Sequence, residues 1–120
     1  MEHALSAYYD ITHGEGLAIL TPRWMHHILN PETTERFVSF GTHIFGIDAA
    51  LPAADIAEQT IKATYDLFTS FGMPMHLRDV GIDETRLAEM AHHIAENEGL
   101  DNAWAPLSEA DILSILRASL

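Results

Sequence analysis

Pro52-Ala53-Ala54-Asp55-Ile56-Ala57-Glu58-Gln59-Thr60-Ile61-Lys62-Ala63-Thr64-Tyr65-Asp66-Leu67-Phe68-Thr69-Ser70-Phe71 is the stretch that decides the fold class. Proline at its start suits a first helical turn. Ile56, Thr60, Ile61, Thr64, Tyr65, Phe68 and Phe71 then recur at three- and four-residue steps, which draws one apolar stripe along a helix. Gly72 and Pro74 stop it. Downstream, a helix is expected from Asp83, as N-cap, to Asn97, with Leu87, Met90, Ala91 and Ile94 on its buried face and Gly99 beyond its end. Another begins at Ser108, a capping serine three residues before Asp111. Ile112, Leu113, Ile115, Leu116 and Leu120 supply its apolar face. Upstream, Glu32 to Phe45 reads as a helix with Pro31 at its first turn. Gly16 to Leu29 reads as another, bent or restarted at Pro22. No Asn-Gly or Asp-Gly hairpin turn and no sustained period-two alternation occurs. The fold class is all-α, and residues 1–120 are expected to form a single helical domain, since the length suffices for one domain and not for two.

Composition narrows the function classes. Apolar residues make up 48% and charged residues 20%, enough apolar content for a real core. Lys plus Arg number 6 against 18 Asp plus Glu, a formal charge of −12. Such a surface repels phosphate backbones and anionic lipid, so no nucleic-acid partner and no membrane partner is expected. No apolar run approaches the roughly 20 residues of a membrane span. The start, MEHALSAYYD, has no basic stretch followed by an apolar one and does not read as a secretory signal. There is no cysteine. That excludes disulfides, thiolate zinc sites and cysteine nucleophiles, and suits a cytoplasmic location. No Gly-rich phosphate loop or GxGxxG is present, so the chain offers no nucleotide-binding βαβ unit of its own.

Eight histidines are the unusual feature. Histidine titrates near neutrality and binds transition metals. His26-His27 and His92-His93 are adjacent on helices, so each pair splits by about 100° and cannot chelate one ion. These four, with His43 and His76, read as ordinary surface or packing residues. His3 and His13 differ in setting. On a straight helix ten residues would separate them by about 15 Å. Two nitrogens that far apart cannot share a metal bonded at about 2 Å. A bend at Asp10 to Gly14 would bring them together and put His13 at the start of the next helix. No close triplet of metal ligands is visible in the sequence.

The same segment resembles a family motif. Iron-containing (group III) alcohol dehydrogenases carry a run of the form H-G-x-x-H-x-L-(G/S)-x-x-x-x-x-x-H-G, and His3, Leu5, Ser6, His13 and Gly14 match it. Tyr9 to Gly14 and Leu17-Ala18-Ile19-Leu20-Thr21-Pro22-Arg23-Trp24-Met25 are similar to the butanol-dehydrogenase branch. Gly46-Ile47-Asp48, Leu77-Arg78-Asp79-Val80-Gly81-Ile82 and Leu107-Ser108-Glu109-Ala110-Asp111-Ile112-Leu113 extend the likeness over essentially the whole chain. The resemblance implies a helical bundle like the C-terminal metal-binding domain of the dehydroquinate synthase-like fold. In such enzymes an N-terminal Rossmann-like domain binds NAD(P)H, and the helical domain holds Fe²⁺, or Zn²⁺, by one Asp and three His. It implies that His13 is the last of those ligands. It implies for His3 a place beside the nicotinamide, where a histidine assists proton transfer without binding the metal. The reaction implied is hydride transfer between NAD(P)(H) and a small alcohol or aldehyde such as butanol or butanal, with the metal as Lewis acid.

The first histidine of the motif would fall four residues before His3, and the other ligands and the cofactor domain further upstream. The 120-residue chain is therefore expected to be inactive alone and to bind no cofactor tightly. The alternative reading is a stand-alone, non-catalytic helical fragment or interaction domain, from an internal start or a truncation. With the preceding helices missing, Leu5, Leu17, Ile19 and Leu20 are expected to lie uncovered. Four such residues are worth roughly 6–12 kcal/mol of burial, so a homo-oligomer joined near residues 1–20 is expected.

Overall fold

A computed structural model describes residues 1–120. It contains six α-helices and no strand: α1 Glu2–Tyr9, α2 His13–Ile28, α3 Thr34–Ile44, α4 Ala53–Ser70, α5 Leu87–Asn97 and α6 Glu109–Ala118. Short 3-10 turns cover Leu77–Val80 and Leu100–Asn102. The fold class is all-α, as the apolar spacing requires. α2 is the central helix and touches α1, α4 and α6, while α3 packs on α4, and α5 on α6 and α1. One continuous core joins Leu5, Ile19, Ile61, Met90, Ile94 and Leu116 among others. No helix is long and apolar enough to cross a membrane.

Local sequence explains most element boundaries. Thr12 caps α2: its hydroxyl accepts the Glu15 N–H, and the Glu15 carboxylate accepts the Thr12 N–H at 3.0 Å. Ser108 and Asp111 form the same reciprocal cap on α6, with Ser108 N–H to Asp111 Oδ2 at 2.9 Å. On α4 the stripe buries Ile56, Thr60, Ile61 and Thr64. Gly41 of α3 lies against Thr60, and a methyl group at residue 41 would fall on the Thr60 hydroxyl. That hydroxyl donates to the Ile56 carbonyl at 2.7 Å.

Several boundaries differ from expectation. α2 starts three residues before Gly16, at the His13 that the bend implied, and runs through Pro22 without restarting. α3 starts at Thr34, not at Glu32, because Asn30 Oδ1 accepts from the Glu32 and Thr33 N–H groups and fixes Pro31 to Thr33 in a turn. α5 starts at Leu87, not beside Asp83, because Asp83 Oδ1 accepts the Thr85 N–H at 2.9 Å and holds that segment outside the helix. Phe71 is 69% exposed, since it caps α4 beyond the last turn. The expectation of an uncovered apolar face is also corrected. Leu5, Ile19 and Leu20 are buried at 0%, 0% and 3% exposure, and only Leu17, at 43%, is open. α1 folds back on α2 and also meets α5, so the chain covers these residues itself. The burial deficit that argued for self-association does not arise at three of the four positions.

The α1–α2 hinge makes this closure. Asp10 adopts the left-handed conformation at φ 56° and ψ 31°, and its N–H donates to the Ser6 carbonyl at 3.0 Å. It is the one non-glycine residue with positive φ. Asp tolerates this region better than branched residues do. Asp10→Val should therefore lower stability by about 1–2 kcal/mol, with Asp10→Gly close to wild type, in urea unfolding. A second outcome concerns pH. Hydrogen bonds from the Ser108 hydroxyl, then from the Ser108 N–H and His27, hold the Asp111 carboxyl below the usual range. A lowered folded pKa gives stability that is complete above the unfolded value of about 3.9 and is lost as pH falls through the folded value. Asp111→Asn should abolish that part of the acid loss, so the thermal midpoints of variant and wild type should converge below about pH 4.

Candidate metal centre

The hinge turns a ten-residue separation into a contact. The His3 and His13 rings stack with centroids 5.6 Å apart and planes 14° apart. His3 projects from the first turn of α1, and His13 is the first residue of α2. Both lie on the exposed side of the molecule. The expected bend is therefore present, and so is the expected helix start at His13.

Glu2 is the residue that sequence reasoning missed. Its side chain is 5% exposed, while that of His13 is 60% exposed. One carboxylate oxygen accepts from the Ser6 hydroxyl, one turn along α1, and the other meets His13 Nδ1. No buried side-chain polar atom lacks a partner. Glu2, His3 and His13 each place one possible ligand atom within 4.8 Å of the others. This corrects the expectation that no close triplet exists. An isolated acid near the start of the chain carries no periodic signal. The only hint was the small residue at Gly16, whose position the carboxylate side chain fills against α2.

The donor types gathered at the corner suit a divalent metal. Imidazole and carboxylate are the ligands that Zn²⁺ and Fe²⁺ accept. His13 Nδ1 is engaged by Glu2, which leaves Nε2 as its nitrogen without a partner. Nearby, the Thr12 hydroxyl and then the Thr12 N–H hold the Glu15 carboxyl below its usual range. That carboxylate and Glu2 give the start of α2 an acidic setting suited to a cation.

The other histidines stay apart, as their spacing implies. His27 Nε2 lies 3.0 Å from Asp111, and His92 Nδ1 lies 3.0 Å from Glu109. His26 faces Glu58 at 3.9 Å, and His76 faces Asp79 at 3.5 Å. His43 bonds the Ser39 carbonyl of its own helix at 2.8 Å. The largest cleft, with Arg23, His26, Glu58 and Lys62 in its walls, shares no residue with the His3–His13 cluster.

Comparison with known proteins places this geometry. The family described as Fe-containing alcohol dehydrogenase, C-terminal, matches residues 1–120. NADH-dependent butanol dehydrogenases A and B of Clostridium acetobutylicum are 48% and 47% identical over 99% and 100% of this chain. The chain spans 31% of the length of each. Among solved structures, a 1,3-propanediol oxidoreductase superposes with a TM-score of 0.86 at 31% identity, covering 99% of this chain and 31% of that one. NADH-dependent butanol dehydrogenase A of Thermotoga maritima gives 0.84 at 29% identity, covering 98% of this chain and 31% of that one. The helical order, the hinge and the matched motif have one common account: this chain belongs to the Fe-containing alcohol dehydrogenase family, as its C-terminal helical part.

Proposed function

We propose that the chain is the metal-facing helical domain of an alcohol dehydrogenase that passes a hydride between NAD(P)H and a small aldehyde, or back from a primary alcohol such as butanol. The observation that carries this reading is the pairing of His3 and His13 at the α1–α2 corner, the two histidines of this chain that match the motif. His13 is the metal ligand, through Nε2. The family resemblance implies one Asp and two further His as the remaining ligands. The nicotinamide dinucleotide is bound by a separate unit, since this chain has no Gly-rich phosphate loop. Bound there, Fe²⁺ or Zn²⁺ supplies Lewis acidity toward the substrate oxygen.

His3 has the complementary role. It is exposed and stacks on the ligand ring, so it sits beside the metal's position without replacing His13. A neutral imidazole there takes a proton from an alcohol, and the protonated ring returns one to the reduced aldehyde. Glu2 is not free to act as a third ligand, because both of its oxygens already have partners in this chain. The isolated chain therefore binds Zn²⁺ at the strength of a surface histidine.

A chimaera tests the reading: butanol dehydrogenase A of Clostridium acetobutylicum with this chain in place of its matching third. It should retain iron and reduce butanal with NADH. His13→Ala should release the metal and lower turnover by about 10²–10³-fold or more. His3→Ala should keep the metal and lower kcat by about 10²–10⁴-fold. Retention of iron and turnover in the His13→Ala chimaera would overturn the proposal. The 120-residue chain alone should show no butanal turnover above its own His13→Ala control.

A further inference from the structure

Glu2 presents a physical problem whose solution points to a role. A buried carboxylate is costly unless its oxygens are held. Here one oxygen is held by Ser6, four residues along the same helix, and the other by His13, from the next helix. The space for the side chain is specific. A methyl group on Gly16 would lie 2.6 Å from Glu2 Cγ and 2.9 Å from Oε1, so the carboxylate occupies volume that any larger residue at 16 would claim. Glu2, Ser6 and Gly16, from two helices, thus build a cradle at one ring nitrogen of His13.

We infer that Glu2 is a positioning residue for His13: its buried carboxylate accepts a hydrogen bond from Nδ1–H, fixes the tautomer with Nε2 unprotonated, and sets the ring so that Nε2 faces outward as a metal ligand. Imidazole can ligate only through an unprotonated nitrogen, and which nitrogen is free is decided by the bond the other one makes. Without an acceptor at Nδ1 the ring is free to carry its proton on either nitrogen and to rotate about its side-chain bonds. Ser6 fixes the carboxylate in turn, and Gly16 keeps the cradle open. The metal role rests on His13 being a ligand, as proposed above. The tautomer does not, and it is measured without metal.

The test uses the 120-residue chain with ¹⁵N-labelled histidine, in alkaline buffer, by NMR of the ring nitrogens. Wild type should show His13 protonated at Nδ1 and bare at Nε2. Glu2→Met, which keeps the bulk and removes the acceptor, should move His13 toward the Nε2–H form. Gly16→Ala, which leaves Glu2 chemically intact and displaces it, should do the same. A purely structural Glu2 would change the thermal midpoint in these variants and leave the His13 tautomer as it was. Zn²⁺ added to wild type should shift Nε2 and leave the Nδ1 proton in place, with an apparent affinity about 10–100-fold above that of Glu2→Met. A wild-type His13 protonated mainly at Nε2, or a tautomer unchanged in both variants, would overturn the inference. Equal Zn²⁺ affinity in wild type and Glu2→Met would overturn its metal half. A fixed tautomer, combined with a chimaera that keeps iron after His13→Ala, would sink the family role of His13 and leave the Glu2–His13 pair standing.

Discussion

The carboxylate of Glu2, wedged between Ser6, His13 and Gly16, is the contact on which the candidate site depends. It ties the first turn of α1 to the first turn of α2. The hinge between them is short, Asp10 to Thr12. Asp10 turns the chain in the left-handed region, and Thr12 caps the new helix. Removing any one of these contacts loosens the others. A displaced Glu2 leaves His13 free to turn, and a straightened hinge carries His3 away from the ring it stacks on. The cluster is thus a property of the corner between two helices.

That corner holds its place because α2 is anchored along its length. Ile19, Leu20, Met25 and Ile28 are buried against the neighbouring helices, and α1, α4 and α6 all pack on α2. The contact of α3 with α4 is tight enough that a methyl group added at Gly41 would overlap the Thr60 hydroxyl. Interiors packed at this density transmit small displacements. Functional groups carried on helix ends over such a base are held more accurately than groups on loops.

Legibility from sequence followed the physics of each signal. The buried faces of α4, α5 and α6 could be read because periodic burial leaves a periodic trace: Ile56, Met90, Ile94 and Ile115 are inside, as spacing implied. The cap at Ser108 could be read because both partners lie three residues apart. Pro31 and Asp83 misled for a common reason. Asn30 and Asp83 compete for backbone N–H groups, and where their side chains win, the helix starts later than its first favourable residue. Leu5 and Ile19 misled because their cover comes from elsewhere in the chain, and sequence alone does not say which elements fold back. Glu2 was invisible. Its burial depends on a glycine fourteen residues away and a histidine eleven away, a coincidence that only the folded corner creates.

Charge distribution sets which ligands this helical part favours. The dinucleotide is an anion, and its phosphates need donors or positive charge. This chain carries a formal charge of −12 and six Lys plus Arg residues. Four of these are already engaged: Arg23 over Tyr65, Arg36 over Trp104, Arg86 with Glu89, and Lys62 with Asp66. The start of α2, beside His3 and His13, could in principle receive a phosphate on its free N–H groups. Thr12 and Glu15 occupy that end with their own reciprocal bonds, and the acid of Glu15 repels an anion there. The local charge of the corner therefore disfavours an anion, with the His13 ring resting against a buried carboxylate.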